Sequence, residues 1–337
     1  MSPDPKSRPE AAHRAESVLA PPKTTAQDAA AATTRPTPAA AEDDAARART
    51  QGLVALLAVQ VFFGLFPLFG KLAMHAFAPR VVAGWRITVG ATVLLGIAFA
   101  KYGRAAWPRR GDWLRLQVCA LLGIALNQVL YLEGLQRAPS VNAALVMALI
   151  PVFVFVLSVV LRLERLVPAR ALGLALSVVG MGILLMRKRV DLGPEYLAGN
   201  LLMTTNAFSY SVYLVLAKPL AMRMPSLVLT AWVFGLSVWT VPLFALGYDW
   251  APASADRGAW LSLVYVLVFP TILAYLLNAY ALARVSASTT AIFIFMQPMI
   301  AAVAGRVGLH EQLDATFGLA AALILGGLWV VLRWRSR

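Results

Sequence analysis

The sequence predicts an all-α membrane protein of ten transmembrane helices, arranged as two inverted five-helix repeats. Three observations carry this prediction: a composition too apolar for water, a succession of apolar runs of spanning length, and a self-match at one fixed offset. Of 337 residues, 60% are hydrophobic and 14% charged, with a mean hydropathy of +0.71. An ordinary soluble domain carries about 25% charged residues, so the composition argues against a soluble enzyme. Nothing repeats at a collagen or heptad period. The formal charge of +14 would suit nucleic acid, but the cations sit between apolar runs, where membrane topology accounts for them. The one cysteine, Cys119, leaves no internal disulfide, CxxC pair or Cys-rich metal site.

Residues 1–50 are rich in Ala, Pro, Thr and mixed charge without apolar periodicity, and read as a disordered tail. That stretch also lacks the basic start and apolar core of about 7–15 residues that a cleaved signal has. A spanning helix needs about 20 apolar residues at 1.5 Å rise across a hydrocarbon core about 30 Å thick. Candidate spans are 52–72, 79–100, 113–135, 140–161, 168–186, 197–217, 226–247, 259–280, 287–308 and 315–333. The divisions at 137–140 and 284–287 are the thinnest, so eight or nine spans stay open. With ten spans, sixteen near-span cations, Lys101, Arg109, Arg165, Lys218 and Arg333 among them, share the side of both termini, against eight on the other. Cytoplasmic loops retain Lys and Arg, so both termini are expected in the cytoplasm; Arg187-Lys188-Arg189 falls on the wrong side.

Sliding the chain against itself by 147 residues pairs Lys71 with Lys218, Trp85 with Trp232, Arg137 with Arg284, Pro151 with Pro298, Glu164 with Glu311 and Gly180 with Gly327. Matches of such residue types in one unbroken register mark a duplication, with repeats over 51–190 and 191–337. Five spans per repeat is odd, so the second repeat enters the bilayer from the opposite face. Inverted repeats of this kind let one midplane site face each side in turn.

Within the first repeat stand Phe63-Gly64-Leu65-Phe66-Pro67, Gly70-Lys71, Gly84-Trp85-Arg86, Asn127-Gln128-Val129-Leu130-Tyr131, Ala143-Ala144 leading to Pro151, and Leu163-Glu164-Arg165. The second repeat has Asn278-Ala279-Tyr280-Ala281-Leu282, Ala287 to Ala291, Gln297-Pro298 and His310-Glu311. In this order and spacing, residues 52–336 resemble the EamA-type group of the drug/metabolite transporter superfamily. Two positions depart from the pattern: Arg86, opposite Val233 in the second repeat, and Glu133, where an alanine-like residue would be expected. The resemblance implies a small-molecule permease in a bacterial inner membrane. It implies a central cavity lined mainly by the first, third, fourth, sixth, eighth and ninth spans. It also implies cargo such as amino acids, their derivatives, other metabolites or toxic organic compounds, often moved outward.

Polar groups in hydrocarbon are costly unless they face partners or a water-filled cavity. Gln60, Asn127, Gln128, Tyr131, Asn142, Asn206, Tyr210, Tyr213, Tyr275, Asn278 and Gln297 all fall in the spans expected to line the cavity; these except Gln128, together with Arg86, are the expected substrate contacts. Asn206, Tyr210 and Tyr213 are spaced i, i+4, i+7 on one helix face. Such amides and phenols can bond a substrate's carboxylate, amine or hydroxyl, or can serve as hydrogen-bonding glue between spans. Arg86 lies about 10 Å below its span's end at 1.5 Å per residue. It suits an anionic substrate or a structural carboxylate; alternatively it snorkels or bonds helix carbonyls. Glu133 is a carboxylate inside a span, a candidate for proton coupling, yet it also precedes Arg137 by four residues, the spacing of a helical ion pair. Pro151 and Pro298 remove backbone donors mid-span and are candidate hinges. Trp85 and Trp232 read as interfacial belt residues, and Gly173, Gly180, Gly182, Gly318, Gly326 and Gly327 as helix-packing positions.

The chain has His13, His75 and His310 only, no HExxH and no P-loop, so neither catalysis, a metal nor a cofactor is expected. The function read here is a secondary active transporter, an exporter of small metabolites, whose partners are its substrate and the bilayer and not nucleic acid. The alternatives are a membrane-embedded enzyme acting on a lipid-linked substrate, and a non-transporting membrane scaffold.

Overall fold

The computed structural model describes residues 38–186, 193–300, 303 and 315–334. Arg187-Lys188-Arg189, His310, Glu311 and most of the expected tail lie outside them. The chain divides into two compact units, Met1–Arg47 and Ala48–Arg337. Helix begins at Pro38, inside the stretch read as a tail, and everything below concerns the second unit.

The described residues are helical, with no strand among them. In order they form α1 (Pro38–Met74), α2 (Pro79–Tyr102), α3 (Arg110–Arg137), α4 (Ser140–Met147 and, past a break at Ala148, Leu149–Val160), α5 (Pro168–Met186), α6 (Leu197–Ala221), α7 (Ser226–Ala245), α8 (Arg257–Arg284), α9 (Ala287–Ile300) and α10 (Ala315–Arg333). Six helices are long and apolar enough to cross a membrane: α1, α2, α3, α7, α8 and α10. α4, α5 and α9 are shorter apolar helices. Leu68, Ile97, Leu201 and Leu243 stand exposed on the outside of these helices, a surface made for lipid rather than water. Together these features define a multi-pass membrane protein.

Local signals set the helix ends. Pro79 opens α2, where its missing N–H costs nothing, and Gly103, at φ +52°, closes it. The Asp256 carboxylate accepts from the Ala259 amide at 2.7 Å to start α8. Ser286 Oγ accepts from the Thr289 amide at 3.1 Å to start α9.

The 147-residue register reappears in the backbone. A π-type turn opens at Leu121 in α3 and another at Val268 in α8. Both helices end in extended backbone, at Ala138 and Val285. The two mirrored prolines each follow a break in regular helix, at Ala148 and at Phe293–Phe295. Sequence neighbours at the same register thus adopt the same irregularities, which similarity of composition alone would not produce.

The mirrored tryptophans tie the repeats together. Trp85 donates to the Trp250 carbonyl at 3.1 Å, and buried Trp232 donates to the Ala106 carbonyl at 2.7 Å. α5 and α10 pack through Gly173, Gly180 and Gly327: a Cβ on Gly173 would meet the Gly327 carbonyl at 2.7 Å. Gly182, Gly318 and Gly326 have open space and do not serve that packing.

Candidate functional site

A cavity opens among α1, α2, α3, α4, α6, α8 and α9, with about 660 Å³ empty of atoms, counted with the solvent space it opens on. Nine of the eleven substrate-contact residues expected from the sequence line it: Gln60, Arg86, Asn127, Tyr131, Asn206, Tyr210, Tyr275, Asn278 and Gln297. Around them stand Val59, Phe63, Phe66, Met147, Ile150, Leu214, Thr290 and Ile294. The lining is pseudosymmetric. Val59 and Asn206, Phe63 and Tyr210, Tyr131 and Asn278, Met147 and Ile294, and Ile150 and Gln297 are register partners, and both members of each pair face the same cavity.

Most of these polar groups also bridge helices. Gln297 Nε2 donates to Gln60 Oε1 at 2.9 Å, and Asn278 Nδ2 to the Tyr210 hydroxyl at 3.0 Å. Asn206 Nδ2 donates to the Asn127 carbonyl at 2.7 Å. The Tyr275 hydroxyl lies within reach of the Gly123 carbonyl, at 3.2 Å, and Asn127 Oδ1, at 3.1 Å. An amide has two donors and a carbonyl acceptor, so each can hold its neighbour and still present a group to the cavity. The glue reading is met by these bonds, and the same side chains face the cavity where a substrate contact would be made.

Two expected contacts lie elsewhere. Tyr213 packs its ring against Gly123, where a Cβ would overlap it. Asn142 donates to Asn200 Oδ1 at 3.0 Å, away from the lining. Glu133 is also absent from the lining; it accepts from Arg80 Nε at 2.7 Å and from Arg137, forming a three-residue charge cluster. Pro151 borders a second, smaller cavity beside Arg170, and Pro298 lies in α9.

Arg86 is 2% exposed and does not snorkel. Its Nε donates to Thr271 Oγ1 at 2.7 Å, one Nη2 proton goes to the Pro270 carbonyl at 3.3 Å, and its guanidinium lies 4.4 Å from the Phe66 ring centre. The π turn in α8 explains the holder. Pro270 has no N–H, so it cannot bond Val266 in the helical manner. The Thr271 hydroxyl takes that role, donating to the Val266 carbonyl at 2.6 Å while accepting from Arg86. At the first repeat's π turn, Ser209 bonds the Leu122 carbonyl at 2.7 Å and Tyr275 bonds the Gly123 carbonyl. The Pro270 carbonyl in one π turn and the Leu122 and Gly123 carbonyls in the other thus accept from side chains of the opposite repeat, while Val266 is met by Thr271 of its own helix. Sequence reasoning missed Pro270 and Thr271, although Pro270 stands opposite Gly123 in the register, two helix breakers at one position.

The fold and cavity define the class: a multi-pass helical membrane protein whose two repeats share one polar internal site. The family follows from comparison with known proteins. Residues 50–186 and 197–333 each match the EamA-like transporter family, and the chain belongs to it. Similar proteins include an uncharacterized transporter of Archaeoglobus fulgidus, 24% identical over 82% of this chain and 96% of that one. The uncharacterized transporter YetK of Bacillus subtilis is 26% identical over 82% and 85%. A probable terminal-alkyne amino-acid exporter of Streptantibioticus cattleyicolor is 26% identical over 82% and 92%. A solved crystal structure superposes with a TM-score of 0.68 at 22% identity, covering 85% of this chain and 96% of that one, which bears on the fold.

Proposed function

We propose that the protein is a secondary active transporter that exports small organic metabolites, amino acids or related compounds among them. It works by alternating access between two inverted repeats of five spans each. The observation that carries this reading is the pseudosymmetric cavity, to which register-equivalent residues of both repeats contribute. Two near-equivalent half-sites around one cavity can exchange conformations, closing on one face as they open on the other. The name of the S. cattleyicolor relative supports amino-acid-like cargo. The cation asymmetry supports cytoplasmic termini, and the family resemblance is what suggests a bacterial inner membrane.

Counterflow in liposomes holding the pure protein tests this. Saturable exchange of at least one labelled amino acid or related metabolite is expected, and absence of exchange across the panel would overturn the reading. Reporters fused at residues 50, 190 and 337 should place 190 opposite the termini; all three on one side would refute ten spans.

A further inference from the structure

We propose that the cargo carries a free carboxylate and that Arg86 binds it inside the cavity. This rests on the transporter reading above and narrows it to one chemical class.

The premise is a buried charge without a counter-ion. Among the described residues the ion pairs are Arg80 and Arg137 with Glu133, Arg170 with Glu164, and Arg223 with Asp112; none involves Arg86. The structural-carboxylate reading of Arg86 therefore finds no partner among them. A guanidinium has five N–H donors. Thr271 and Pro270 take two, and among the described residues the other three have no acceptor. An unmatched buried charge is expensive, and here the side chain is held in place rather than released to water. The Thr271 hydroxyl and the Pro270 carbonyl fix one edge, and Phe66 covers one face. Both Nη1 protons and one Nη2 proton remain, and one N–H from each of these two nitrogens makes the pair of donors that a carboxylate accepts bidentately. The rest of the lining is neutral, so nothing there offsets the cation except a ligand. Phe63, Tyr131 and Tyr275 supply apolar and ring contact for an organic body, which separates such a ligand from a bare inorganic anion. A cationic amine would add a second unmatched positive charge to the same space.

Three probes with one body and different head groups test this: phenylacetate, phenylacetamide and phenethylamine. Titration calorimetry on the purified full chain should show phenylacetate binding at least tenfold more tightly than the other two. Arg86→Gln should remove that preference, and Arg86→Lys should restore part of it. Equal or tighter binding of the amide or the amine, no phenylacetate binding, or an unchanged preference in Arg86→Gln would overturn the proposal. Should Arg86→Gln fail to fold, the wild-type series decides alone. Flux separates the two readings. Arg86-dependent phenylacetate binding without flux of any solute would sink the transporter reading and leave the anion site. Saturable flux that prefers the amine would do the reverse.

Discussion

Two arginines lie equally deep in this protein, each 2% exposed, and they are held in opposite ways. Arg170, at the start of α5, meets a carboxylate: its Nη1 lies 2.6 Å from Glu164 Oε2, and its Nη2 reaches Ser286 Oγ at 3.2 Å and Thr289 Oγ1 at 3.3 Å. Glu164 in turn accepts from the Ser288 amide at 3.2 Å, at the N-terminal end of α9, where the helix dipole favours an anion. This cluster is neutral overall and joins the first repeat to the second. Arg86 also joins the repeats, through Thr271 and Pro270, but its partners are neutral and its charge remains. The difference teaches how to tell a clamp from a receptor. A clamp matches its charges within the chain; a receptor leaves one for the ligand.

The largest effect should come from breaking the matched pair. Glu164→Gln leaves the Arg170 guanidinium buried without its anion, and removing one partner of a buried pair costs about 3–5 kcal/mol. Thermal unfolding of the pure protein should show that loss. Arg86→Gln should cost far less, because no chain anion is left behind. Equal losses at the two sites would dissolve the contrast. The same substitution weakens the contact between α9 and the first repeat, so cysteines placed beside Ser288 should become more accessible to water-soluble thiol reagents.

Thr271→Val cuts more narrowly. It removes the acceptor for Arg86 Nε and the donor to the Val266 carbonyl. A buried carbonyl left without a partner costs about 1–3 kcal/mol, and the guanidinium loses one of its two anchors. Beyond the stability loss, the preference for phenylacetate over phenylacetamide should fall severalfold. A purely structural Thr271 would lower stability and leave that preference intact.

Much of this architecture was legible in the sequence because hydrocarbon imposes simple rules. Span length follows from bilayer thickness, and the 147-residue register already paired Tyr131 with Asn278 and Phe63 with Tyr210. The scarcity of polar residues in apolar runs then pointed to nine of the lining side chains. What was not legible depends on neighbours. Asn206, Tyr210 and Tyr213 share one helical face, yet Tyr213 turns to the space left by Gly123, and a periodicity does not say what the face meets. Trp85 and Trp232 sit near span starts as belt residues do, but their indole N–H groups find carbonyls in loops of the opposite repeat. The role of Thr271 depends on a π turn, which no hydropathy pattern encodes.

Gln128 extends the comparison to a third case and the smallest expected effect. It follows Asn127 in α3 and is fully buried, and neither polar atom of its side chain has a hydrogen-bond partner among the described residues. Arg170 is matched in charge and Arg86 is partly held; this amide is held by nothing. A buried polar group in that condition costs about 1–3 kcal/mol, and replacing it with an apolar group of similar shape is neutral or stabilising. Gln128→Leu should therefore leave the unfolding temperature unchanged or raise it. A drop matching 1–3 kcal/mol would show that the amide is satisfied, and the distinction from Arg86 would lose its third term. Counterflow on the same variant adds a second readout. The alternating access proposed above would rearrange the helices around the cavity, and an amide that is idle in this conformation could then find its partner in the other. Raised stability with slower exchange is the signature of that case, because the leucine favours the state in which the amide has no bond to lose.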